Sequence, residues 1–160
     1  MSKLRIGIGY DVHRLESNLS LILGGVKINH YKGIVAHSDG DIILHSISDA
    51  LLGAASLGDI GCLFPDTKSE NKNIDSSIIL LSVLKKLRGL CFSVVNIDVS
   101  IALQKPKLQP YVSEIRKSIA KLMQMEVDLI SIKATTTEKM GFEGHEQGVS
   151  CYSVVLIEKN

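Results

Sequence analysis

The chain contains no tryptophan, and four tyrosines and three phenylalanines make aromatics only 4% of its 160 residues. Modules that hold single-stranded nucleic acid stack bases on aromatic side chains, so this thin supply argues against that class. An excess of either charge is missing too: 18 basic residues meet 17 acidic ones, for a net +1. No overall basic field exists to draw in DNA or an anionic membrane, so an anionic ligand needs a local site. Cysteine is scarce. Cys62, Cys91 and Cys151 are odd in number with no close pair, which argues against a disulfide framework or a CxxC zinc knuckle. Free thiols, buried or half-buried in a reducing cytoplasm, are expected instead. No apolar run approaches the ~20 residues that span a bilayer. Met1-Ser2-Lys3-Leu4-Arg5 runs directly into a strand-like pattern, so neither a signal peptide nor a transit peptide is expected.

What is present is ordinary globular material, 45% hydrophobic and 22% charged, which rules out a disordered tail, a collagen-like repeat or a coiled coil. The length suits one domain, residues 1–160, that buries roughly 70% of its unfolded surface without staples. Leu4 to Tyr10 alternates Leu, Ile, Ile and Tyr against Arg5, Gly7 and Gly9 and reads as a half-buried strand. Its glycines leave one face bare for a close backbone approach. Leu21 to Ile28, turning at Gly24-Gly25, reads as a hairpin. A helix is expected from Ile42 to about Leu57, with Asp39 or Asp41 as N-cap and Gly58 past its end. Ile43, Ile47, Leu51 and Ala54 form its core face, and His45 and Asp49 share another. Gly58 to Asn73 is polar and irregular and reads as a long loop. Further helices are expected at about Ser76–Leu87 and Val112–Met123, and strands at Phe92–Leu103, Leu129–Thr135 and Val149–Glu158. This order predicts an α+β, two-layer domain, a mixed β-sheet with helices on one face. If the other sheet face is apolar it needs cover as well, which points to self-association.

Three groups of residues can carry chemistry. In Asp11-Val12-His13 the alternate side chains of an extended chain project to one face, and carboxylate oxygen and imidazole nitrogen are good ligands for a divalent metal. A lone DxH also suits a turn Asp beside a surface His. His37-Ser38-Asp39-Gly40-Asp41 followed by His45 strengthens the metal reading. Asp11, His13 and His45 with an open fourth position would make a catalytic zinc site, and Asp49, one turn beyond His45, would orient its ring. Ala134-Thr135-Thr136-Thr137-Glu138-Lys139 follows a strand, where hydroxyls, free N–H groups and Lys139 suit phosphates and Glu138 suits Mg²⁺. A solvated β-branched strand end with a capping Glu is the plainer reading of the same residues. Gly7-x-Gly9 lacks the third glycine and the helix of a dinucleotide fingerprint.

The motifs Gly9-Tyr10-Asp11-Val12-His13, Ala36-His37-Ser38-Asp39-Gly40-Asp41, Ala50-Leu51-Leu52-Gly53-Ala54-Ala55, Gly58-Asp59-Ile60-Gly61, Leu63-Phe64-Pro65-Asp66-Thr67 and Lys133-Ala134-Thr135-Thr136-Thr137-Glu138-Lys139 together resemble the 2-C-methyl-D-erythritol 2,4-cyclodiphosphate synthase family over essentially the whole chain. The resemblance implies a lyase of the non-mevalonate isoprenoid pathway. Its substrate is 4-diphosphocytidyl-2-C-methyl-D-erythritol 2-phosphate, whose 2-phosphate attacks the β-phosphorus while CMP leaves. It implies a homotrimer with active sites between subunits. By resemblance, Asp11, His13 and His45 hold Zn²⁺, whose fourth position takes a β-phosphate oxygen, and Glu138 holds Mg²⁺ or Mn²⁺ bridging the phosphates. His37 and Thr136 match residues that stabilise the transition state. Ser38, Val12, Asp59, Ile60 and Gly61 match substrate contacts, and Phe64, Pro65, Asp66, Thr67 and Lys68 a mobile loop over the substrate. Leu103, Gln104, Lys105, Pro106, Lys107, Leu108 and Gln109, with Ala134 and Thr135, match the cytidine pocket. Thr137 and Phe142 match further contacts. His145 stands where many members of the family have an arginine near an axial cavity that takes isoprenoid diphosphates. A histidine has fewer donors and is mostly neutral at pH 7, so weaker binding there is expected.

A zinc phosphohydrolase using the same three ligands, and a non-catalytic trimer that binds a metal or an isoprenoid diphosphate, are the competing readings. No nucleic-acid or membrane partner is expected. A cytoplasmic bacterial protein is expected, or a plastid stromal one after processing.

Overall fold

The computed structural model describes residues 3–65 and 74–160. Strands β1 (Leu4–Ser17), β2 (Leu21–Leu23), β3 (Val26–Ile28) and β4 (Lys32–Val35) come first. Helices α1 (Ile42–Ala54), α2 (Ile60–Leu63) and α3 (Ser76–Gly89) follow, then β5 (Phe92–Ala102), α4 (Val112–Met123), β6 (Ile130–Thr135), α5 (Gly141–Gly144) and β7 (Gly148–Lys159). Short 3₁₀ turns at Gln109–Tyr111 and Val127–Leu129 lead into α4 and β6. The main sheet has the order β4-β1-β7-β5-β6, with β5 and β6 parallel and every other pair antiparallel. The β2–β3 hairpin stands apart. This is the expected mixed α+β arrangement. Among the described residues no helix is long and apolar enough to cross a membrane.

Helix α1 organises the core. Ile42, Ile43, Leu44, Ile47, Ala50, Leu51, Leu52 and Ala54 are all buried, the pattern of a helix enclosed on every side. It lies so close on β1 that a Cβ at Gly7 would sit 1.9 Å from the Ala50 carbonyl oxygen, and one at Gly9 1.9 Å from that of Ser46. The expected close approach to the glycine face is therefore made by a helix. Asp41 is the N-cap: its carboxylate accepts the N–H of Leu44 at 3.2 Å, and also those of Gly24 at 2.8 Å and Gly25 at 2.6 Å. One buried side chain thus ties the hairpin turn to the start of α1. Burial pushes its carboxyl up to about 6, against the pull of those three N–H groups.

The helix is shorter than its sequence suggests. It ends at Ala54, Ser56 takes the left-handed φ of +59°, and Gly58 (φ +82°) lies in the turn beyond. The segment expected to be an irregular loop from Gly58 contains the one-turn α2, capped by Asp59 accepting from the Cys62 N–H at 2.9 Å. Four residues are too few for a periodicity to register. β4 and α5 are equally short and equally absent from the sequence expectation.

β1 does not end at Tyr10 but continues to Ser17, paired with β7 as far as Arg14 and with β4 beyond. The alternation in β1 is real, but the apolar side faces away from the helices. Ile6 is 73% exposed and Ile8 67%, flanked by exposed Leu4, Tyr10, Val12, Tyr152 and Val154. Cys62 and Cys91 are also exposed, contrary to expectation, and only Cys151 is buried.

Candidate active site

The register of β1 puts Asp11 and His13 on the helix side of the sheet, while Val12 between them faces the bare side. The packing of α1 on Gly7 and Gly9 then delivers His45, one turn into the helix, onto the same spot. One ligand atom from each of Asp11, His13 and His45 lies within 4.8 Å of the others. His45 Nδ1 is 3.0 Å from Asp11 Oδ2, and the Nδ1 atom of His13 is 3.3 Å from the same oxygen. That second contact is not an aligned hydrogen bond, so the buried His13 Nδ1 is left without a hydrogen-bond partner. A buried orphan nitrogen, a carboxylate and a second imidazole converging on one point fit a divalent cation such as zinc. Burial opposes ionisation of Asp11, but the two imidazoles outweigh it and bring the carboxyl down to about 2. Burial likewise disfavours charge on His45, and the bond to Asp11 overcomes it, so the imidazole pKa is raised.

Asp49 does not orient His45. Its carboxylate accepts the Ile60 N–H at 2.8 Å and anchors α2. The other ring nitrogen of His45, Nε2, lies 2.9 Å from Ser76 Oγ and 3.3 Å from Ser38 Oγ. Ser76 in turn donates to Asp39. Ser76 enters the sequence reading only as the start of a helix, and no spacing rule links residues 31 apart; only the docking of α3 beside α1 brings them together.

A cavity of about 390 Å³ opens over the three-residue cluster. Asp11, His13, Ala36, His37, Ser38, His45, Ile60, Gly61 and Phe64 line it, together with Val35, Ile74 and Ile79, which the sequence reading did not single out. Asp59 is exposed and caps α2. Asp66, Thr67 and Lys68 lie outside the described residues, beyond Pro65.

The remaining candidates gather elsewhere. Leu103, Pro106, Lys107, Leu108, Gln109, Ala134, Thr135 and Thr136 line a second cavity of about 250 Å³ at the ends of β5 and β6. Neighbouring Gln104 has a buried Oε1 without a partner, and Lys105 pairs with Glu146 at 2.9 Å. In register, Asp11 pairs with Cys151, Cys151 with Ile101, and Ile101 with Ala134. Three strand spacings, about 14 Å, therefore separate Asp11 from Ala134. Past β6, Thr136 Oγ1 donates to Glu138 Oε1 at 3.2 Å, and Thr137 Oγ1 to the Met140 carbonyl at 2.5 Å. Glu138 and Lys139 both hold left-handed φ values, 52° and 66°, backbone strain of the kind that marks ligand-binding turns. Phe142 rests on Gly148, and the exposed His145 donates Nδ1–H to the Gly141 carbonyl at 2.5 Å.

A family model described as the YgbB family matches residues 4–158. The chain belongs to the YgbB family. A relative from Fusobacterium nucleatum, named 2-C-methyl-D-erythritol 2,4-cyclodiphosphate synthase, is 51% identical over 98% of both chains. Among solved structures, the bifunctional IspDF from Campylobacter jejuni is 41% identical with a TM-score of 0.96; all of this chain matches 43% of that longer one. The IspF of Plasmodium falciparum, solved as a CDP complex, is 35% identical with a TM-score of 0.87, covering 100% of this chain and 99% of its own. The Asp11–His13–His45 group and the two cavities are thus features of a YgbB-family member.

Proposed function

We propose that residues 1–160 act as one catalytic domain, a cyclodiphosphate synthase of isoprenoid precursor biosynthesis. It converts 4-diphosphocytidyl-2-C-methyl-D-erythritol 2-phosphate to 2-C-methyl-D-erythritol 2,4-cyclodiphosphate and CMP. An oxygen of the 2-phosphate bonds to the β-phosphorus as the bond from that phosphorus to the oxygen of departing CMP breaks. The observation that carries the reading is the convergence of Asp11, His13 and His45 within 4.8 Å at a cavity, in a chain half identical over nearly its whole length to a synthase of that name.

Phosphoryl transfer asks mainly for positioning and neutralised charge. A divalent cation, Zn²⁺ at Asp11, His13 and His45 and Mg²⁺ or Mn²⁺ at Glu138, supplies that neutralisation when bound. His37 and Ser38, at the rim of the first cavity, are positioned to hold phosphate oxygens. Thr136 and the strained turn at Glu138 do the same from the second. The lining from Leu103 to Gln109 takes the cytidine; the Plasmodium relative was solved as a CDP complex. The 2-phosphate is already largely ionised at neutral pH, so no residue serves as its base. His145 offers an axial isoprenoid diphosphate a weaker partner than an arginine would.

A diphosphate cannot span the three strand spacings, about 14 Å, that separate Asp11 from Ala134 in one chain. The exposed apolar stripe of Ile6, Ile8, Tyr10, Tyr152 and Val154 supplies the remedy, a homotrimer packed through this sheet face that sets the first cavity of one subunit against the second cavity of the next. The enzyme works in the cytoplasm.

³¹P NMR of the protein with this substrate and Mg²⁺ tests the reading. Paired cyclic-diphosphate resonances with equimolar CMP, lost on chelation, are expected. Linear phosphates alone would instead make it a hydrolase.

A further inference from the structure

The hydroxyl of Ser76 has one proton and two candidate recipients. It is fully buried, 2.9 Å from His45 Nε2 and hydrogen-bonded to Asp39. Asp39 is committed as an acceptor: Oδ2 takes the Ser76 N–H at 3.2 Å and Oδ1 the Asp41 N–H at 3.3 Å. The Ser76 proton therefore goes to Asp39, and the hydroxyl meets His45 only as an acceptor. Nε2 must carry a hydrogen, because its lone pair facing the Ser76 lone pair at 2.9 Å would repel. Ser38 Oγ at 3.3 Å is the longer and weaker contact, and it already accepts the Gly40 N–H at 3.1 Å. With the ring hydrogen held at Nε2, the lone pair of His45 sits on Nδ1, aimed at Asp11 Oδ2 at 3.0 Å. That position takes a cation: a proton in the hydrogen bond to Asp11, or a metal that displaces it.

We propose that Asp39 and Ser76 form a relay that locks His45 in the tautomer whose Nδ1 binds the metal. They are positioning residues. Ser76 acts on the ring, and Asp39 acts on Ser76 by claiming its proton. The arrangement also fixes the ring plane, since one ring edge is held from α3 and the other faces β1. In metal-binding histidines the non-ligating nitrogen usually donates directly to a carboxylate or carbonyl; here a serine stands between, and the residues involved come from three separate segments. The proposal rests on the reading of Asp11, His13 and His45 as a metal group.

Two measurements test it, both without turnover. The first is zinc affinity of the purified protein by competition with a chromophoric chelator. Ser76→Ala and Asp39→Asn are each expected to weaken zinc binding roughly 10–100-fold, and Ser76→Thr, which keeps the hydroxyl, to bind as the wild type does. Wild-type affinity in both folded variants would overturn the relay, whereas a wild type that binds no zinc would overturn the metal reading itself. The second needs no variant. In ¹⁵N-histidine spectra of the zinc-loaded wild type, His45 is expected to show a slowly exchanging Nε2–H and a metallated Nδ1. Metal on Nε2, or a fast-exchanging Nε2–H, would overturn the proposal even if both variants fail to fold.

Discussion

Asp11 meets two imidazoles at 3.0 and 3.3 Å, and that contact sets the chemistry expected of single residues. Asp11→Asn or His13→Ala should lower the rate of CMP release by roughly two orders of magnitude or more, with the metal content of the purified variant falling in parallel. Because the bond to Asp11 outweighs burial and raises the pKa of His45, protons compete for this ligand at higher pH than they would for a free imidazole. A metal can bind only the deprotonated nitrogen. Zinc affinity should therefore fall as pH drops through the upper part of the histidine range, and a competition titration across that range checks the sign. An affinity flat in pH would count against the Asp11–His45 pairing. The thiols give a simpler test. Burial pushes the Cys151 thiol up to about 12, whereas Cys62 and Cys91 are exposed. Ellman's reagent should find two reactive thiols in the native metal-free protein and a third after denaturation.

Among the elements, α1 and β1 set the position of everything else in the site. The helix reaches β1 only because Gly7 and Gly9 have no side chain, and a Cβ at Gly9 would strike the Ser46 carbonyl at 1.9 Å. Backbone cannot yield as a flexible side chain does, so Gly9→Ala should destabilise the fold by about 3 kcal/mol or more, read from urea unfolding. His45 lies on the same helix, so the variant should also weaken metal binding even where it still folds. Sequence alternation exposed the glycine face of β1 as a place of close approach, but not which partner would fill it. The short elements β4, α2 and α5 escaped for a different reason: each has only four residues, too few for a pattern to repeat convincingly.

At the scale of the molecule, the feature that stands out is an apolar sheet face turned to solvent, with Ile6 73% and Ile8 67% exposed. A charge at its centre should be incompatible with burying it against a second copy. On the proposed trimer, Ile8→Glu is expected to sediment as a monomer, to keep its helical circular dichroism, and to lose cyclisation, since that assembly is what would join the two cavities. A trimeric and active Ile8→Glu protein would remove this face from the interface.

Local order was legible from the chain alone. The limits of α4, the Gly24-Gly25 hairpin and the alternation of β5 follow from periods of 3.6 and 2 and from turn residues, which act over a few residues. The same local rule placed Asp11 and His13 on one side of a strand. The site itself needed long-range packing. His45 joins them through the seating of a helix on two glycines, and Ser76 rather than Asp49 holds its ring because α3 docks beside α1. Nor could alternation say which side of β1 is inside. A period of two distinguishes the faces of a strand but does not name the buried one; that depends on where the helices pack and on whether a second copy covers the other side.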